Sequence, residues 1–183
     1  MFKPKILVFA GPNGSGKSTL AKQIKSYGYY INADDLKDEY LLTDLDAAQK
    51  AEALRIKCLE KEADFTFETV LSTERNLILL QKAKNENYEI HCIYVLTGNS
   101  DINVARVKSR VLFGGHDVPE EKIRSRYEKA LKILPQLIKI CDRIFIFDNS
   151  NLPSLIFKKD EDGIICFPTD ILPTERITSI VKS

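Results

Sequence analysis

Gly11, Gly16, Lys17 and Ser18 stand at the spacing G-x-x-x-x-G-K-[ST], in the stretch VFAGPNGSGKSTL that runs from Val8 to Leu20. That spacing suits a phosphate chain. Glycines let the backbone curl until successive N–H groups point inward at one anion, and a following helix adds its positive end. The lysine reaches the β and γ phosphates, and the serine hydroxyl can ligate Mg²⁺. Gly11, Pro12, Asn13, Gly14, Ser15, Gly16, Lys17, Ser18 and Thr19 therefore form the candidate nucleotide-binding set, with Ser18 as the metal ligand. The apolar run Lys5–Ala10 reads as a strand and Lys17–Ser26 as a helix, the setting such a loop needs.

Phosphoryl transfer also needs a base for the acceptor hydroxyl and cations for the charge that spreads over the moving group. Asp34 and Asp35 close the second expected strand, Tyr29–Ile31, so one of them faces the cleft; either can equally cap a helix over Leu36–Tyr40. Glu68 lies inside an apolar strand, in FTFETVLS, where a charge needs a partner or a site; a structural salt bridge would serve as well. A basic stretch follows: Arg106, Lys108 and Arg110, then Lys122, Arg124 and Arg126. Arg106 and Arg110 share a helix face. Glu120, Glu121 and Glu128 interrupt the stretch, as they would on a solvated face. His116 shapes the turn in GGHDVP, and His91 reads as a core residue.

Strands alternate with helices along the chain. Helices are expected at Leu45–Glu62, Leu77–Asn85, Ile102–Leu112 and Glu120–Ile140. Further strands are expected at Phe65–Val70, Tyr88–Leu96 and Arg143–Phe147. This order predicts an α/β three-layer sandwich with a five-stranded parallel sheet. Ligands then bind beyond the C-terminal strand ends. The segment 102–140 reads as a helical lid, and the tail from 151 to 183 as an extension with a covering hairpin near Glu161-Asp162-Gly163. The whole of 1–183 is read as a single domain.

Two nucleotide-using classes are disfavoured, because the chain has neither an Asn-Lys-x-Asp base-reading segment nor a Leu-Ser-Gly-Gly signature. Ile144–Asp148 looks like a Walker B strand, but it comes last and Asn149 replaces the usual acid. Its expected role is a core strand ending near the base or the lid. A net charge of +1 over 183 residues argues against a broad nucleic-acid or membrane footprint. The longest apolar runs are strand-sized, so a membrane span is not expected. No signal-peptide pattern opens the chain, and Cys58, Cys92, Cys141 and Cys166 form no CxxC pair; both point to a reducing cytoplasm.

GPNGSGKST, INADDL, FTFETVLS, VARVKSRVLFGGHDVPEEKIRSRYEKAL and CDRIFIFDNS, in that order, resemble the zeta toxin family of P-loop kinases over roughly Lys5 to Ser150. The resemblance implies ATP- or GTP-dependent phosphorylation of a UDP-N-acetylglucosamine hydroxyl. Lys17 and Ser18 would bind phosphate and Mg²⁺, and Asp34 would be the base. Glu68 would contact the acceptor sugar, with Thr69 and Arg106 in the same substrate-binding set. Arg110 and Arg124 would be lid arginines on the phosphates, with Arg126 beside them. An antitoxin protein is a possible partner. Two other readings of the residues remain: a 5′-hydroxyl polynucleotide kinase, and a nucleotide-dependent regulatory ATPase.

Overall fold

A computed structural model describes residues 3–167. The tail beyond Phe167, part of the expected extension, lies outside the described residues. In chain order the elements begin with β1 (Lys5–Ala10), α1 (Lys17–Ala21), β2 (Tyr29–Ile31), α2 (Ala33–Tyr40), α3 (Asp44–Glu60), β3 (Phe65–Thr69) and α4 (Arg75–Asn85). They continue with β4 (Glu89–Leu96), α5 (Ser100–Leu112), α6 (Glu120–Ile140), β5 (Arg143–Asp148), β6 (Ser154–Asp160) and β7 (Gly163–Cys166).

The strands form one sheet in the order β2-β3-β1-β4-β5-β6-β7, and the first five are parallel. β1 lies between β3 and β4, so both of its edges are hydrogen-bonded, and both of its faces are buried. Side chains alternate across a strand, and β1 shows this directly. Ile6, Val8 and Ala10 enter the larger core beneath α3, α4 and α6, while Leu7 and Phe9 join Ala21, Ile93 and Val95 on the α1 face. Burying each such side chain contributes roughly 1.5–3 kcal/mol.

The sheet is larger than the five strands expected. The hairpin β6–β7 does not cover the fold as a separate piece; β6 pairs antiparallel with β5, from Ile144 opposite Lys159 to Asp148 opposite Ser154. The physical reason is the open edge of β5, whose main-chain donors and acceptors need partners. Ile156 and Phe157 are buried by the docking.

Two further boundaries differ from expectation. α1 stops at Ala21, because the chain must turn back to the sheet edge, where the Tyr27 N–H donates to Thr66 Oγ1 at 2.7 Å. Asp34 and Asp35 lie in the first turn of α2 rather than at a strand end. Asn32 supplies the cap, its Oδ1 accepting from the Asp34 N–H at 3.0 Å.

The segment expected to act as a lid divides in two. Val104 and Val107 of α5 pack with Ile123 of α6 in a small cluster of their own. The second half of α6, with Ile133, Leu134, Leu137 and Ile138, belongs to the main core. Among the described residues no helix is long and apolar enough to cross a membrane.

Candidate active site

The loop after β1 sits at the C-terminal edge of the sheet, held from several sides. The Gly11 N–H donates to the Thr69 carbonyl at 3.2 Å. Asn103 Nδ2 of α5 donates to the Asn13 carbonyl at 2.6 Å, and Asn149 Nδ2, just past β5, donates to the Ser15 carbonyl at 2.8 Å. Gly16 has φ of 93°, and a Cβ there would stand 2.3 Å from Asn149 Nδ2. A side chain at this position would meet both backbone strain and a collision. The N–H groups of Gly14, Gly16, Lys17 and Ser18 make no hydrogen bond among the described residues. Together they form a concave set of free donors, the arrangement that binds phosphate oxygens.

Lys17 lines a cleft of about 260 Å³. Asn13, Gly14 and Ser18 line it from the loop, Asp34 from α2, Glu68 and Thr69 from β3, and Arg110 and Arg126 from the two helices opposite. Burial lowers the Lys17 ammonium pKa from its ordinary 10.5, while the negative charges of Glu68 and Asp34 act the other way. Asp34 reaches the cleft because the short β2 ends beside β3 and α2 starts at once. Asp35, the next residue, does not line it. Burial pushes the Asp35 carboxyl above its ordinary value, and Glu68, Asp34 and Asp38 add to the shift.

Glu68 is held at both oxygens. Ser18 Oγ donates to Oε2 at 2.6 Å, and the Tyr30 hydroxyl donates to Oε1. Tyr30 had no place in the sequence reading beyond its strand. Thr69 Oγ1 is engaged in structure, accepting from the Leu71 N–H at 2.9 Å and Asn76 Nδ2 at 2.7 Å.

No cluster of three or more histidine, cysteine, aspartate or glutamate side chains that could hold a metal by itself occurs among the described residues. One hydroxyl beside one carboxylate fits Mg²⁺ all the same. That ion keeps several waters and takes phosphate oxygens as ligands, so the protein need supply only one or two oxygens.

The arginines separate. Arg110 lines the cleft, its Nη2 donating to the His116 carbonyl, and Arg126 lines it with Nη1 3.3 Å from Asn13 Oδ1. Arg124 faces away, paired to Asp101 at 2.6 Å and to Glu120 at 2.8 Å. Arg124 does not line the cleft, whereas Arg126, two residues on, does. Arg106 donates to the Ser150 carbonyl at 3.1 Å and borders a neighbouring cavity of about 350 Å³ with Gly16, Thr19, Gln23, Asn149 and Pro153. It does not line the cleft that holds Glu68, but it borders a second cavity shared with Gly14, Lys17, Ser18 and Arg110. Asp148 does not point into the cleft; its carboxylate accepts from the Ser150 N–H and hydroxyl. His91 is buried and bonded to Tyr27 and Glu89.

A glycine-rich phosphate loop after the central strand of a parallel sheet, with a carboxylate-bearing cleft beside it, defines a P-loop phosphotransferase of the kinase type. The chain belongs to the zeta toxin family, whose model it matches over residues 27–161. It is 33% identical over 129 residues to an uncharacterized protein of Haemophilus influenzae, a match covering 67% of this chain and 92% of the relative. Among solved structures it is similar to one from the PezAT chromosomal toxin–antitoxin system of Streptococcus pneumoniae. There the TM-score is 0.58 and the identity 19%, over 86% of this chain and 72% of the other. It is also similar to the AvrRxo1-ORF1:AvrRxo1-ORF2 structure with ATP, with a TM-score of 0.71 and 13% identity over 98% of this chain. The match spans 63% of that longer chain, less than two thirds of its length.

Proposed function

We propose that this protein is a cytoplasmic kinase that moves the γ-phosphoryl of ATP or GTP to a hydroxyl of a sugar nucleotide such as UDP-N-acetylglucosamine. The observation that carries the kinase chemistry is the meeting of Lys17, the free loop amides and Asp34 in one cleft. The sugar-nucleotide acceptor rests on membership of the zeta toxin family, and nucleotide binding is supported by the related structure with ATP. The related PezAT structure, from a toxin–antitoxin system, supports an antitoxin partner.

The cavities around the loop give the substrates a consistent order. The nucleoside would occupy the cavity bordered by Arg106 and Gln23, with its phosphates passing Gly14, Gly16 and Lys17 into the cleft. Ser18, backed by Glu68, would hold Mg²⁺, which supplies charge neutralisation between the β and γ phosphates. The acceptor hydroxyl would enter from the α2 side. Asp34 would take its proton as the oxygen attacks phosphorus, while Lys17, Arg110 and Arg126 stabilise the three spreading oxygen charges. α5 and the start of α6 would act as the lid, excluding water so that hydrolysis does not compete.

The direct test supplies labelled ATP, Mg²⁺ and a panel of UDP-sugars, with a 5′-hydroxyl oligonucleotide as a separate arm. A phosphorylated UDP-sugar is the expected product. Label on the oligonucleotide alone would overturn the acceptor class, and ATP turnover with no phosphorylated product in any arm would overturn the kinase reading.

The two helix arginines give a sharper contrast. Arg126→Ala should lower transfer about 10²-fold, the usual cost of removing one donor that stabilises developing charge. Arg124→Ala should leave transfer within about threefold, because it loses only exposed ion pairs. Initial-rate measurements on both variants check this, and the opposite ranking would place Arg124 at the phosphates.

A further inference from the structure

Arg110 is the last basic side chain of α5, and nothing in the helix itself aims it at the cleft. The aim comes from the connection to α6, residues 113–119. Its two glycines serve different purposes. Gly114 has φ of 81° with open space around its missing Cβ, so it is there for the turn. Gly115 has no such backbone requirement. A Cβ there would lie 2.5 Å from Arg110 Cγ and 3.1 Å from Cδ. The Arg110 stem occupies the space a side chain at 115 would need.

Other contacts fix the same unit. The Gly115 N–H donates to the Arg110 carbonyl at 3.1 Å, and the Arg110 guanidinium donates to the His116 carbonyl. The His116 ring then pairs across the mouth of the cleft with Asp38 of α2 at 3.1 Å. α2 is the helix whose first turn carries Asp34. The turn therefore touches both the arginine on one wall and the helix bearing the carboxylate on the other.

We infer that Gly115 and His116 are positioning residues, which preset the Arg110 guanidinium over the phosphate loop and tie its wall to α2. This rests on the reading of Arg110 as a phosphate-binding group. Gly115 contributes by lacking a side chain. His116 contributes its carbonyl to the guanidinium and its ring to Asp38. Neither needs to touch substrate. A guanidinium already held at the cleft edge spends less conformational entropy when the γ-phosphoryl charge develops, which is where preorganised donors gain their advantage.

The experiment measures Mg²⁺·ATP turnover, with and without UDP-N-acetylglucosamine, for Gly115→Ala, Arg110→Ala and the double variant. It also records the Arg110 Nε–H NMR resonance of the nucleotide-free protein, identified by its loss in Arg110→Ala. Gly115→Ala should lower kcat about 10- to 100-fold, the scale of an ångström-sized misplacement, with KM for ATP within about twofold of wild type. The double variant should be no slower than Arg110→Ala alone, since a residue acting only through Arg110 has nothing further to lose. The resonance should move toward that of a free, solvated arginine. Should Gly115→Ala fail to fold, Asp38→Asn is the second variant. It lies outside the cleft lining, and its loss of the exposed His116 pair should cost about two- to fivefold in kcat.

Wild-type turnover in Gly115→Ala, penalties that multiply in the double variant, or an unmoved resonance would each overturn the inference, as would wild-type turnover in Asp38→Asn. Wild-type turnover in Arg110→Ala alongside a moved resonance would locate the failure in the phosphate-binding reading of Arg110, and the catalytic purpose of the turn would fall with it.

Discussion

Asp34→Asn is expected to cut phosphoryl transfer by about 10²–10⁴-fold, the range for losing a general base, while ATP still binds. The substitution keeps the size of the side chain and removes only its capacity to accept a proton. The fold gives it little else to disturb. The cap of α2 uses the main-chain N–H of Asp34 and the side chain of Asn32, so the helix start is preserved. The carboxylate makes no side-chain hydrogen bond or ion pair among the described residues, which leaves it available to a substrate. On the proposed reading ATP is held elsewhere, by the loop amides and Lys17. Transfer rates with labelled ATP, together with calorimetric titration of ATP into the variant, separate the two effects. Retained transfer would remove Asp34 as the base and turn attention to Glu68, which lines the same cleft beside Ser18. Loss of ATP binding along with transfer would mean that Asp34 acts on the nucleotide rather than on the acceptor.

The phosphate loop was legible because its whole specification is local: the glycines, lysine and serine fall within eight residues, and the strand before it is an unbroken apolar run, as a strand buried on both faces must be. What joins distant segments was less legible. Ser18 and Glu68 are 50 positions apart, and they meet only because β3 lies beside β1 with Phe9 opposite Glu68. Strand order is not written in hydrophobic pattern. Tyr30 gave no signal either; on a short edge strand an aromatic is an ordinary strand former, and only the pairing of β2 with β3 brings its hydroxyl to Glu68. Arg124 and Arg126 are two residues apart on a helix, about 200° around its axis. One of them had to face the cleft and the other away, but the choice depends on how α6 is rolled against α5, through Ile123, Val104 and Val107. The place of β6 beside β5 likewise depends on an open sheet edge, which no local spacing reveals. Of the two neighbouring carboxylates only Asp34 lines the cleft, and Asn32 rather than either aspartate caps the helix, since its side chain sits one residue before the first helical turn.

Lys17→Met should abolish measurable transfer, weaken ATP binding by about 10²-fold or more, and still raise the melting temperature of the nucleotide-free protein. These effects share one cause. The lysine is kept in a site that withdraws its ammonium from water, and burial lowers its pKa despite the nearby Glu68 and Asp34. A lysine whose folded pKa lies below its unfolded value makes the folded state bind protons less tightly. Stability then rises with pH between the lowered folded value and the unfolded value near 10.5. Below that window the ammonium is charged in both states, and its desolvation cost is borne in full. Methionine keeps the stem and removes the charge, so the gain in melting temperature should be largest near neutral pH and should shrink as wild type is titrated toward pH 10. Thermal melts across that range, paired with ATP titrations at pH 7, check both halves. A melting temperature that falls at neutral pH would mean that the cleft carboxylates outweigh desolvation and that the empty site is stabilised by its lysine. A rise accompanied by lost binding would instead identify a charge held at a cost to the fold, a cost that the phosphates of a bound nucleotide offset by supplying the counter-charge that the empty cleft provides only in part.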